Sequence, residues 1–244
     1  MTDPHSAAAL AAEHLDLVEA GTRRLLDTVS ELKPDAVAEP SALPGWTRGH
    51  VLAHVSRNAD SLVNLLTGAR TGTDIPQYPS EQARDQGIED GAGRPLDAQL
   101  ADLRESHQRF AAAAAAMAPE HWAAEVHHRS GAVFPACELP WKRLGELEYH
   151  LVDLDAGHTP ADWPEEFAVT EFRRLARRLH GTGLPAVELV AEDTGDRGLI
   201  GTGEPALTVQ GPVRALLAWL SGRSDGADLR RTPDAALPQL PPMG

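Results

Sequence analysis

The sequence has a single cysteine, Cys137, in 244 residues. One cysteine excludes an internal disulfide and any cysteine-rich zinc cluster, and it fits a reducing, cytoplasmic setting. Basic residues are also scarce: 22 Lys and Arg stand against 36 Asp and Glu, for a net charge of −14. So acidic a chain lacks the basic surface that nucleic acids and anionic membranes require, so neither is expected as a partner. Long apolar runs are missing too. The longest uncharged run, Phe110 to Pro119, is mostly alanine and too short to span a bilayer. The opening MTDPHSAAALAAEHLDL puts Asp3 ahead of its alanines with no basic flank, which is not the pattern of a secretory signal. These absences fit a cytoplasmic protein with neither nucleic acid nor membrane as a partner. Any metal it holds must rely on histidine and carboxylate ligands, and its eleven histidines make that feasible.

Hydrophobic periodicity predicts helices through most of the first half. Residues 6–33 carry Leu10, Leu15, Val18, Leu25 and Leu26 at helical spacing, and Pro34 ends the pattern. A second helix follows Thr47, a suitable N-cap, with Leu52, Val55, Ala59, Leu62 and Leu66 as its buried stripe. Gly68 to Pro79 reads as a loop, Pro95 to Met117 as a third helix, and Pro140 to Asp155 as a fourth. Four long amphipathic helices suggest a bundle, a fold that builds metal sites between facing helices.

Beyond Gly157 the pattern changes. Residues 165–180 read as another helix, and the runs AVELVAED, RGLIGTG and PALTVQG read as strands separated by Gly and Asp turns. A helix over 212–220 and a Pro-rich end complete the chain. The expected architecture is α+β: a helical bundle over residues 1–160, a smaller α/β C-terminal domain over 161–235, and a Pro-rich tail over 236–244.

The fourth helix, PWKRLGELEYHLVDLDAGH, carries a core stripe of Leu144, Leu147, Leu151 and Leu154. Beside it runs a polar stripe of Arg143, Glu146, His150 and Asp153. Glu146 and His150 are four residues apart, hence one turn apart and separated by only about 40° around the axis. That spacing lets a carboxylate and an imidazole hold one divalent ion, although most such pairs are solvated helix surface. His54, in line with Val51, Asn58 and Ser61 on the second helix, would complete a set of two histidines and one carboxylate. Three protein ligands with one open position is the pattern of catalytic zinc; non-haem iron uses a similar set, so ligand type leaves the metal open. Arg143 and Asp153 could orient these ligands or could be ordinary bundle salt bridges. His50 reads as a surface or capping residue, Cys137 as a small core residue, and Trp46 and Trp141 as packing anchors. His158 is a further ligand candidate, weakened by its place beyond the helix.

The motifs LPGWTRGHVLAHVSRNAD and PWKRLGELEYHLVDL together resemble the paired signature of the DinB-like metal-binding bundles. In particular they resemble the mycothiol-dependent maleylpyruvate isomerase family of actinobacteria. GTDIPQYPSEQARDQGIE, GAVFPACELPWKR and VQGPVRALLAWLSGRSDGADL are similar to that family as well, so the resemblance covers most of the chain. It implies a zinc ion on His54, Glu146 and His150, mycothiol as the thiol cofactor, and a catalytic role for Arg223 in the GRSDG turn. It also implies cis-to-trans conversion of maleylpyruvate to fumarylpyruvate in gentisate degradation, by reversible thiolate addition to the double bond. A thiolate is the reactive form of a thiol, and zinc deprotonates a coordinated thiol. A guanidinium suits both the substrate carboxylates and an enolate charge, although Arg223 could equally serve the end of a helix. Arg84 could hold a substrate carboxylate or the thiol, or could be a solvated surface arginine. Two other readings stand beside this one: a mycothiol S-transferase acting on other electrophiles, and a non-catalytic metal-binding module. The sequence does not fix the oligomeric state, and a monomer is among the states it allows.

Overall fold

The structure, a computed structural model, describes residues 3–242. Residues 1, 2, 243 and 244, the outer ends of the expected first domain and tail, lie outside the described residues. The chain divides into two compact units, Met1–Gly157 and His158–Gly244. No helix among the described residues is long and apolar enough to cross a membrane.

The first unit is built on four long helices. They are α1 (Pro4–Ser30), α2 (Arg48–Thr71), α4 (Leu96–Ala115) and α5 (Leu139–Asp153), with a shorter α3 (Glu81–Ala92) between the second and third. Each long helix starts where the sequence offers a start signal. Asp3 accepts a hydrogen bond from the Ser6 backbone at α1, and Thr47 caps α2 reciprocally with His50. Helix α1 packs on α5, and α2 packs on α3, α4 and α5. The predicted stripes are the buried ones: Leu52, Val55, Ala59, Leu62 and Leu66 on α2, and Leu144, Leu147, Leu151 and Leu154 on α5, each at most 2% exposed. At roughly 1.5–3 kcal/mol for each fully buried leucine, these seams are the main cohesive force of the unit.

Two features depart from the sequence reading. No helix was expected over 81–92, where α3 lies, and α2 runs on to Thr71 through the start of the predicted loop. Helix α3 was hard to see because it buries only Ile88 and Ala92, too few to set a period. Glycine makes its contact with α2 possible. A Cβ on Gly49 would lie 2.1 Å from the Ala92 carbonyl oxygen, and one on Gly91 would lie 2.6 Å from the Ala53 Cβ. The second departure is a small antiparallel hairpin, β1 (Glu125–His127) with β2 (Val133–Pro135), just before α5.

The second unit has helices α6 (Glu165–Leu179) and α7 (Val213–Leu220) and strands β3 (His180–Ala191), β4 (Arg197–Gly211) and β5 (Arg230–Thr232). The second and third predicted strands are the two arms of β4, which flank β3 on both sides. One arm runs antiparallel to β3, pairing Val187 with Ile200 and Val190 with Arg197. The other runs parallel to it, pairing Val187 with Leu207 and Ala191 with Gly211. The bend between the arms uses positive φ at Gly201 and Gly203, which only glycine adopts without strain. Strand β5 adds an antiparallel edge the sequence reading did not include. Phe167, Phe172 and Leu175 of α6 supply the apolar face against the sheet. Residues 234–242 carry no helix or strand.

Candidate metal centre

Helices α2 and α5 bring His54, Glu146 and His150 together, and one buried residue holds the two helices in register. Arg143, 1% exposed, lies one turn before Glu146 on α5. Its Nη1 donates to the Val55 carbonyl at 2.8 Å and to Asn58 Oδ1 at 2.9 Å, so it grips α2 immediately beside His54. Burial draws its pKa down to about 10, which still leaves it charged at neutral pH.

Glu146 Oε2 lies 2.9 Å from His54 Nε2 and 3.3 Å from His150 Nε2. One ligand atom from each of the three residues lies within 4.8 Å of the others. The two imidazoles meet edge-on, with ring centroids 4.6 Å apart and planes 81° apart. Trp46 tilts against His54 at 5.6 Å and shields it on one side. On the far side of His150, Nδ1 lies 3.0 Å from Asp153 Oδ2, and the Asp153 side chain is only 2% exposed. A carboxylate there fixes the tautomer that leaves Nε2 turned toward Glu146.

The three ionisable groups respond differently to burial. For Glu146 burial opposes the charge, but hydrogen bonds from His150 and His54 prevail and hold it well below the usual carboxylate range. His54 is pushed down, chiefly by burial, and so is kept neutral. For His150 burial works downward, but hydrogen bonds to Asp153 and Glu146 outweigh it and the pKa is raised.

This arrangement fits a divalent ion. Ligand atoms roughly 2.1 Å from a tetrahedral zinc stand about 3.4 Å from each other; the Glu146 contacts, at 2.9 and 3.3 Å, are near that spacing. Two imidazoles and a carboxylate match zinc in donor type, and the Glu146 side chain, 33% exposed, leaves the group open on one side. His54 Nδ1 is buried with no hydrogen-bond partner among the described residues, so the ring's one polar contact is the Nε2–Glu146 pair inside the candidate site.

The other sequence candidates fall in different places. His50 is a capping residue, its Nδ1 accepting from the Thr47 backbone at 3.1 Å. Trp141 is buried against His14, with ring centroids 4.8 Å apart. Cys137 is buried, and burial together with Glu138 raises its pKa. Arg84 lies on α3, pairs with Asp85 at 2.7 Å, and is an electrostatic neighbour of His54. His158 falls at the start of the second unit. Arg223 follows α7 in that unit, and its Nη1 donates to the Ser221 carbonyl at 2.9 Å.

Sequence reasoning missed Tyr78 and His128, both electrostatic neighbours of Glu146. Burial raises the Tyr78 phenol, which stays protonated, and lowers His128, an effect that Lys142 and Arg129 reinforce. Neither carried a periodic signal: Tyr78 stands between Gln77 and Pro79, and His128 between His127 and Arg129.

Residues 18–155 match the family model of the mycothiol maleylpyruvate isomerase N-terminal domain. The chain belongs to that family. Two crystal structures extend the likeness over nearly the whole chain. One is described as the mycothiol-dependent maleylpyruvate isomerase and superposes with a TM-score of 0.88, at 29% identity, over 96% of this chain and 97% of that one. The other is a variant of the same enzyme with one histidine replaced by alanine; it gives a TM-score of 0.87 at the same identity and coverage. The curated proteins contain no match. Family membership and fold thus agree with the resemblance carried by the motifs of α2 and α5.

Proposed function

We propose that this family member is a zinc- and mycothiol-dependent cis–trans isomerase that converts maleylpyruvate to fumarylpyruvate in the cytoplasm. The convergence of His54, Glu146 and His150 on one point between α2 and α5 carries the reading, and the full-length likeness to the isomerase structures supports it.

Zinc held by these residues would acidify a thiol, so that the reactive thiolate exists at neutral pH. Mycothiol would supply that thiol, and the chemistry it would bring is reversible addition to the substrate's double bond, which would leave a single bond free to rotate. The chain's own residues do the rest. His54 and His150 present neutral Nε2 atoms, and Glu146 contributes the single negative charge among the ligands. Asp153 orients His150, and Arg143 sets the α2–α5 register that brings the ligands together. Arg223 is assigned the enolate and carboxylate charge that develops on addition, a task suited to a planar, permanently charged guanidinium. That assignment rests on its place in the GRSDG turn and the family likeness.

The deciding assay incubates the purified chain with maleylpyruvate, zinc and mycothiol and follows the substrate's ultraviolet absorbance. Loss of signal that needs both zinc and mycothiol, with fumarylpyruvate as product, supports the proposal. Conversion without added thiol, or a thioether that accumulates, overturns it.

A further inference from the structure

Next to the metal centre the first unit has a second concavity, of about 280 Å³, that the reaction chemistry does not use. One wall is the segment before α3, with Asp74, Gln77, Tyr78 and Glu81; the other is the β1–β2 hairpin, with His127, His128 and Arg129. At the lower end of the roughly 300–1,000 Å³ typical of small-molecule sites, it would take part of a ligand, one or two rings in size.

Its walls are tied together. Gln77, 5% exposed, donates from Nε2 to Ser61 Oγ of α2 at 3.2 Å and accepts at Oε1 from the Arg129 backbone at 3.2 Å. Asn64, also on α2, donates to the Gln77 carbonyl at 3.2 Å. One buried amide thus fastens both walls to the helix that carries His54. Ser61 is seven residues beyond His54, about 10 Å along the axis. Tyr78 and His128, on the inner side, are within electrostatic reach of Glu146.

Charge pairing in the cavity indicates what kind of ligand it takes. Asp74 lies 3.3 Å from His127, and Arg129 lies 3.0 Å from Glu81, so the cavity's basic side chains already have carboxylate partners. A dicarboxylate needs unmatched cations. A neutral polyol does not: its hydroxyls donate to the spare carboxylate oxygens and accept from the remaining N–H groups. Mycothiol is a cysteine amide carried on a glucosaminyl-inositol, a thiol at one end and a hydroxyl-rich pair of rings at the other.

We infer that the cavity between residues 74–81 and the 125–135 hairpin binds the glucosaminyl-inositol body of mycothiol, while its sulfur reaches the His54–Glu146–His150 centre. The inference rests on the mycothiol-dependent reading above and adds where the cofactor's body is recognised. Asp74, Glu81 and Arg129 are its hydrogen-bonding residues, and Gln77 positions them.

The test uses N-acetylglucosaminyl-inositol, which keeps the neutral amide but lacks the cysteine, titrated calorimetrically into the full zinc-loaded chain and into Arg129→Ala and Asp74→Ala variants. Wild type should bind the fragment, and each variant should bind it about tenfold more weakly, the worth of one or two hydrogen bonds. In turnover, KM for mycothiol should rise by a similar factor and KM for maleylpyruvate should not. If Arg129→Ala unfolds, Glu81→Gln serves in its place. Three outcomes overturn the inference: no fragment binding by wild type, equal binding by wild type and variants, or a rise in KM for maleylpyruvate, which would make the cavity an anion site for substrate. The fragment has no thiol, so its binding is scored without turnover. A failed isomerase assay and a failed cavity are therefore separate results.

Discussion

The first unit places two kinds of polar surface side by side. The faces of α2 and α5 bury Arg143, Asp153 and His54 almost completely, on helices whose other stripes are leucine and valine. The segments over 72–80 and 125–135, a loop and a short hairpin, keep their polar groups partly in water: the Asp74 side chain is 80% exposed and that of His127 59%. Charges on the helices cannot move without breaking the packing around them, and they hold three ligand atoms in place. Charges on the rim are paired loosely enough to exchange partners with a ligand. On the proposed function, reaction chemistry falls to the buried faces of the helices; on the proposed cavity, recognition falls to a hydrated edge tied to α2 through Gln77.

The contrast can be broken from either side. Glu146→Ala removes the only charged ligand and should abolish both zinc retention and turnover; metal analysis of the purified variant checks this, and full retention would refute the site. Arg143→Met should destabilise the metal-free chain by about 3 kcal/mol, because it strands the buried acceptors on α2. Urea denaturation measures that loss, and an unchanged midpoint would mean that α2 and α5 keep their register without it. Asp153→Asn should weaken zinc binding about 10–100-fold, with the fold intact, because His150 loses its orienting carboxylate. A chelator competition series reads this.

A pH series sharpens the same point. Only unprotonated imidazoles bind metal. His150 is the tighter proton holder, with a pKa raised above its ordinary 6.5 by Asp153 and Glu146 despite its burial. Zinc affinity should therefore climb as pH rises through that raised value and fall as protons return below it. A flat profile across neutral pH would contradict the arrangement. The smallest effect belongs to the rim, where Arg129→Ala should change stability by no more than about 1 kcal/mol, as for other exposed pairs, and leave zinc affinity unchanged.

The same contrast governs what the sequence made legible. Helix α5 could be read because leucines at 144, 147, 151 and 154 impose a period, and the polar residues beside them inherit a face from it. His54 was legible for the same reason on α2. Helix α3 was not, since its contact with α2 depends on the absence of side chains at Gly49 and Gly91, which leaves no hydrophobic signal. Tyr78, His128 and the pairs Asp74–His127 and Arg129–Glu81 lie in segments without a period, and only folding brings them opposite one another. In the second unit the runs of β4 were visible as strands. Their placement on both sides of β3 was not, because it depends on a bend at two glycines.

The lone cysteine has a consequence for a protein that works with a thiol. Cys137 is 2% exposed, and its pKa is raised by burial and by Glu138, so it stays protonated and out of contact with solvent. Thiol–disulfide exchange needs an accessible thiolate. This chain offers none, so oxidised mycothiol can occupy it without forming a mixed disulfide. Thiol oxidation would then act on the enzyme through the supply of reduced mycothiol and not through a disulfide at Cys137.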